Sequence, residues 1–198
     1  MSEDLKISDL LEITADNLPD PASYQYYKGL QKRRIIINEA IAENLLELAT
    51  IPFIDMDRDG SREPIEIVIS TVGGEIYTGF NFVDIIEKAK SPVTIRIMSM
   101  AASMGILIAM AGKHNPNVKT VCYPFSVGLI HSGSQYMEGT SHAVKDMFDF
   151  SQRYEEKIKE YIISHTEIDE EMYEKIERKE FWLDSSEMLR LGIVDEIL

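Results

Sequence analysis

The sequence predicts an α/β fold in which helices cover a largely parallel sheet, and three observations carry that prediction. First, Ile65, Ile67 and Ile69 alternate with other residues, pass through Gly73-Gly74 and give way to Phe80, Val83, Ile86 and Ala89 on one helical face. Second, Val93, Ile95 and Ile97 alternate likewise, pass through the small residues Ser99, Ala101, Ala102 and Ser103, and lead into the apolar stretch ending at Gly112. Recurring strand-turn-helix units are expected of a sheet whose strands run parallel, because each crossover needs a helix of chain. Third, 198 residues, 44% of them hydrophobic, suffice for one domain with a sizeable core.

Residues 1 to about 20 are polar and acidic and end in the breaker Leu18-Pro19-Asp20-Pro21, which predicts a flexible N-terminal arm and leaves 21–198 as a single domain. Tyr24, Tyr26 and Tyr27 follow, with one apolar face and one polar tip each, as suits an interface or the edge of a core. After Lys32-Arg33-Arg34, the run Ile35-Ile36-Ile37 reads as a buried strand. Asn38 is placed to cap a helix carrying Ile41, Leu45 and Leu48. Between this helix and the next strand, Asp55, Asp57, Asp59, Gly60 and Glu66 match positions 1, 3, 5, 6 and 12 of a calcium-binding loop. Arg62 at position 8, Pro64 and the strand after the loop weigh against that match, so the expectation is an ordinary acidic turn and no metal.

Beyond Gly112, a polar loop leads to two short apolar runs, Thr120 to Tyr123 and Ser126 to His131, separated by Pro124. His131 closes the second run, and strand ends in α/β proteins are where side chains reach a crevice. His114, His142 and His165 lie in polar stretches and are assigned no role. Residues 141 to 166 form the longest helix, with Ala143, Met147, Phe150, Tyr154, Ile158 and Tyr161 in one stripe. That stripe exceeds the needs of one small core and predicts packing against another subunit. An acidic stretch, Phe181-Trp182-Leu183, a capped helix over 185–191 and a final Gly192-Ile193-Val194 complete the chain.

Charge narrows the function. With 34 acidic against 20 basic side chains the formal charge is −14, so nucleic acid is a poor partner. The longest apolar run is too short to span a bilayer, and the first ten residues lack a secretory pattern, so a cytoplasmic protein is expected. The lone Cys122 reads as a packed thiol. Ser103 admits two readings at its strand-to-helix corner: an N-cap, or a nucleophile whose neighbouring free N–H groups favour developing negative charge.

The segments STVGGEIYTG, SMAASMGILIAMAG, CYPFSVGLIH and EFWLDSSEMLRLGIVD together resemble the proteolytic subunit of the Clp protease, the ClpP family, over roughly residues 25–198. The resemblance implies the fold shared by ClpP and the crotonases, built of repeated β-β-α units with a protruding handle helix at about 141–166. It implies a serine peptidase with Ser103 as nucleophile, His131 as general base, and the N–H groups of Gly74 and Met104 as oxyanion hole. The family's catalytic aspartate falls on Glu180. The resemblance further implies a stacked-ring homo-oligomer, a tetradecamer, that takes unfolded polypeptides from an AAA+ unfoldase. No cofactor is implied, ATP being used by the unfoldase alone. Three departures stand out: Ser99 where the elbow usually opens with glycine, Ser132-Gly133 in place of Gln-Pro, and Glu66, Val68 and Lys88 at aromatic docking positions. The alternatives are a catalytically weak or inactive ring subunit with a scaffold role, which the Glu180 replacement motivates, and a crotonase-type thioester enzyme, which leaves the Ser-His pair without a task.

Overall fold

The computed structural model describes residues 20–198, so the expected N-terminal arm lies outside the described residues. Five strands, β1 (Arg34–Ile37), β2 (Ile65–Thr71), β3 (Val93–Ala102), β4 (Val118–Cys122) and β7 (Glu196–Ile197), form a parallel sheet in the order β1-β2-β3-β4-β7. Strand β5 (Val127–Ile130) joins the far end of β3 in parallel, and β6 (Phe181–Leu183) pairs antiparallel with β5. This is the mixed α/β architecture that the strand-turn-helix units predict.

Alternation sets the layers. In β2 and β3 the odd-numbered residues from Ile65 to Ile69 and from Val93 to Ile97 are buried, and the residues between them are half-buried. On the buried face lie helices α2 (Ile51–Arg58), α3 (Ile76–Ile86) and α4 (Met104–Ala109), with Phe53 and Phe82 edge-to-face at 5.8 Å. The other face carries Glu66, bonded to both Arg34 and Arg96. Helix α5 (Ser141–His165) crosses α3 through an aromatic series in which Phe80 meets Tyr154 at 6.0 Å and Tyr161 at 5.3 Å. The Tyr161 hydroxyl donates to the Leu107 carbonyl at 3.0 Å. Helix α6 (Glu170–Ile176) and helix α7 (Ser185–Arg190), the latter closed by an Asp184–Glu187 capping box, complete the chain.

Between residues 20 and 60 the strand at Ile35–Ile37 forms as expected, but the segments on either side of it depart from their sequence pattern. Asp20 and Pro21 start a helix, α1 (Pro21–Gln31): Asp20 accepts from the Ala22 and Ser23 N–H groups, and Pro21 takes the first helical position, where no N–H is needed. Asn38 caps no helix. Ile41 instead bridges Gly74, and helical structure begins at Leu45 and passes through a π-turn (Leu46–Thr50) into α2. The stripe of Ile41, Leu45 and Leu48 is thus core contact read as continuous helix.

The calcium template is likewise helix, not loop, through Arg58. Asp57 is buried and accepts from the N–H groups of Lys90 (2.9 Å) and Ser91 (2.7 Å). Asp59 binds Arg33 and the Ser61 N–H, Glu66 is held by its two arginines, and Asp55 is exposed. These four carboxylates diverge, and no group of three metal-ligating side chains forms among the described residues. Burial pushes the Asp57 carboxyl up, but the Ser91 and Lys90 N–H groups outweigh it and hold the group below its ordinary range.

Asp57→Ala should therefore cost about 2 kcal/mol, through two orphaned N–H groups, equally with and without calcium. Because the folded-state carboxyl is depressed, this stabilisation is complete above the ordinary carboxyl range and disappears as pH falls through the lower folded value. Thermal melts of both proteins from neutral to acid pH, with and without the ion, check all three statements.

Candidate active site

Strand β3 changes neighbours midway. Its first half, Val93 to Ile97, pairs with β4, and its end, Met100 to Ala102, pairs with β5. Opposite β2, the register jumps from Ile69–Ile97 to Thr71–Ala101, so β3 holds two extra residues there. Ser99 lies inside this bulge at φ 82°, a left-handed conformation that costs a side chain-bearing residue about 1–2 kcal/mol. A glycine would carry no such cost.

Ser103 follows directly, at φ 54° and ψ −124°. Its N–H donates to Leu129 of β5 at 2.9 Å, which extends the β3–β5 ladder by one bond and fixes the corner in place. The hydroxyl makes no capping bond to α4, so the N-cap reading of this serine is not realised. His131 stands just past the end of β5, so the ends of two adjacent parallel strands bring Ser103 and His131 into the lining of one cleft of about 100 Å³. Both side chains are half-buried. This is the address expected of reactive groups in an open α/β sheet.

The Gly73-Gly74 turn packs against the corner. A Cβ at Gly73 would fall 2.6 Å from the Ser103 Cβ and 2.9 Å from the Met104 nitrogen, distances no side chain tolerates. Gly73 also has φ 92°, so both space and backbone demand glycine. Ile41 donates to the Gly73 carbonyl and accepts from the Glu75 N–H, both at 2.8 Å, which turns the Gly74 N–H to the opposite side. Met104 opens α4, where its N–H has no intrahelical acceptor. Among the described residues neither the Gly74 nor the Met104 N–H has a partner. Two free donors beside a strained serine can hold an oxyanion.

Sequence reasoning passed over Thr71. Its hydroxyl donates to Glu39 at 2.5 Å and accepts from the Gly73 N–H at 3.1 Å, while its methyl meets Gly105 of α4. It thus ties the glycine turn to the serine's helix. The signal was available, since a threonine two residues before Gly-Gly is a side-chain-stabilised turn. His114 and His165, assigned no role, also form a cluster away from this cleft: His165 Nε2 meets Glu87 at 2.9 Å, and its ring lies 4.7 Å from that of His114.

Glu180 is not joined to His131 by a hydrogen bond. Its Oε2 accepts from the Trp182 indole N–H at 3.1 Å, and among the described residues the Ser103 hydroxyl and the His131 ring have no side-chain partner. The β5–β6 pairing nevertheless runs Gly128–Leu183, Leu129–Trp182, Ile130–Phe181. One further step sets His131 opposite Glu180. Cross-strand neighbours have Cβ atoms roughly 5 Å apart, which a change of Glu180 rotamer can span.

A family model described as Clp protease matches residues 20–198. Among curated relatives, the ATP-dependent Clp protease proteolytic subunit 1 of Salinibacter ruber is 24% identical over 177 residues, covering 89% of this chain and 75% of the relative. The ATP-dependent Clp protease proteolytic subunits of Streptococcus mutans and Lactococcus lactis are 28% and 27% identical over 182 residues. Each alignment covers 89% of this chain, with 90% and 88% of the respective relative.

If the corner is strained as its dihedrals indicate, Ser103→Gly should be more stable than Ser103→Ala by about 1–2 kcal/mol, since both lose the hydroxyl and only glycine releases the strain. Denaturant titration of the two variants measures the difference.

Proposed function

Because the chain belongs to the Clp protease family, we propose that it is a serine-type endopeptidase that hydrolyses peptide bonds through Ser103, His131 and Glu180. The observation that carries this reading is the contact between the Gly73-Gly74 turn and the strained Ser103 corner, with two free N–H groups beside the hydroxyl. His131 takes the Ser103 proton as Oγ adds to the peptide carbonyl carbon, and the carbonyl oxygen, now negative, is held by the Gly74 and Met104 N–H groups. Collapse of this intermediate breaks the C–N bond, His131 hands its proton to the departing amine, and an acyl-enzyme remains. Water, deprotonated by His131, repeats the attack and releases the acid. Glu180 leaves Trp182 and accepts the imidazole N–H, stabilising the cation that each step forms.

The chain works as a stacked-ring homo-oligomer, a tetradecamer, in the cytoplasm. Support for assembly comes from the first half of α5, where Met147, Phe148 and Phe150 are 43%, 51% and 46% exposed, an apolar surface that a second subunit would cover. Its partner is an AAA+ unfoldase that supplies unfolded polypeptide and alone uses ATP. Catalysis itself requires no cofactor. Among the described residues no helix is long and apolar enough to cross a membrane.

The second reading, an inactive scaffold subunit, draws on one observation, the bond from Trp182 to Glu180. Labelling by a fluorophosphonate probe and turnover of a fluorogenic peptide separate the two. The wild type should label at Ser103 and turn over peptide, Ser103→Ala should do neither, and Glu180→Ala should lose about 10²–10⁴-fold in kcat. A wild type inert in both assays favours the scaffold.

A further inference from the structure

The cleft beside Ser103 has apolar walls and an acidic mouth. Along α5 its lining runs from buried Ile162 through half-buried Ile158 to exposed Glu155, and at the end of α6 it includes buried Ile176 and the exposed Glu177 that follows it. The spacing of three and four residues keeps Glu155 on the helix face that Ile158 and Ile162 occupy, whereas Glu177 reaches the lining as the residue that caps α6 directly after Ile176. Glu155 accepts from the Gln135 amide at 2.6 Å and retains further acceptor sites. Tyr173 of α6 also lines the cleft, and its phenol pKa is raised by burial first and then by Glu177, with Lys159 opposing and Glu155 and Glu156 adding to the rise. The two carboxylates therefore act on one region. Lys159 is already paired with Glu170 at 2.8 Å and Glu156 at 3.7 Å, and among the described residues no lysine or arginine lines the cleft.

Size and charge together select an occupant. The cleft, at about 100 Å³, is smaller than the roughly 150 Å³ that holds a benzene ring, so it suits a slim, unbranched side chain better than an aromatic one. Such a chain needs apolar contact along its stem and an anion at its tip, which is the pattern of lysine. Resting on the peptidase reading above, we propose that this cleft receives the side chain on the acyl side of the scissile bond and prefers lysine there. Its methylenes lie along Ile158 and Ile176, and its ammonium meets Glu155 and Glu177. The substrate class is thus cationic polypeptide, which a chain of formal charge −14 also attracts over distance.

The test compares fluorogenic peptides that differ only at this position, carrying lysine or the uncharged norleucine, with the full chain and its Glu155→Gln/Glu177→Gln variant. The expected result is a lysine-to-norleucine ratio of kcat/KM of about ten at low salt, the size two exposed ion pairs can supply. That ratio should shrink as salt rises and fall to about one in the double variant. If the double variant does not fold, either single variant should lower the ratio. A wild-type ratio of one or less, or a ratio that survives removal of both carboxylates, overturns the lysine preference and leaves the peptidase reading standing. Absence of turnover for every peptide overturns both.

Discussion

The close approach of two backbones, Gly73 against Ser103, is the constraint on which the site depends. Strand β2 ends in a glycine turn and β3 in a left-handed corner, and the two meet with no room for a Cβ between them. Each neighbouring feature supports that approach from a different direction. Ile41 pins the turn from the β1 side, Thr71 pins it from within β2, and Leu129 pins the corner from β5. The strain of the corner, of order 1–2 kcal/mol, is small beside the burial of the isoleucines of β2, β3 and α4, each worth roughly 1.5–3 kcal/mol. A rigid core therefore holds an unfavourable backbone where two unpaired N–H groups are wanted.

Much of this was legible in the sequence because it follows from period and residue type. Alternating isoleucines in β2 and β3 could bury only one face of a strand, and Gly73-Gly74 at a strand end signalled a backbone that must approach something closely. The placement of His131 just past an apolar strand followed from the same logic. Ser103 was ambiguous between cap and nucleophile, and the structure leaves its hydroxyl without a capping bond.

What was not legible depended on partners distant in sequence. Ile41 fits a helical stripe by spacing, but its bond to Gly73 takes it out of helix, and no local pattern carries that information. Asp57 fits a calcium loop by spacing, yet the N–H groups it serves lie over thirty residues away, at Lys90 and Ser91. The pairing of His165 with Glu87 spans a longer gap still, 78 residues. Glu180 is the instructive intermediate case. Its count from His131 put it at the family's aspartate position; the β5–β6 register, extended by one step, sets it opposite the histidine, whereas the bond to Trp182 is a choice of rotamer that counting cannot see.

The acidic cleft mouth and the apolar surface of α5 have a common origin in a helix that runs past the core it helps to cover. Its inner end, with Ile162 and His165, is buried, while its outer turns carry the exposed rings of Phe148 and Phe150 and, one turn further in, Glu155 over the cleft. One helix thus contributes to proposed assembly and proposed substrate choice. The central claim, that the serine corner and the glycine turn act as one preorganised oxyanion site, is tested most directly by a crystal structure of the fluorophosphonate adduct. The account predicts phosphorus on the Ser103 Oγ and a phosphonyl oxygen about 2.7–3.1 Å from both the Gly74 and Met104 nitrogens. A phosphonyl oxygen turned away from either N–H would contradict it.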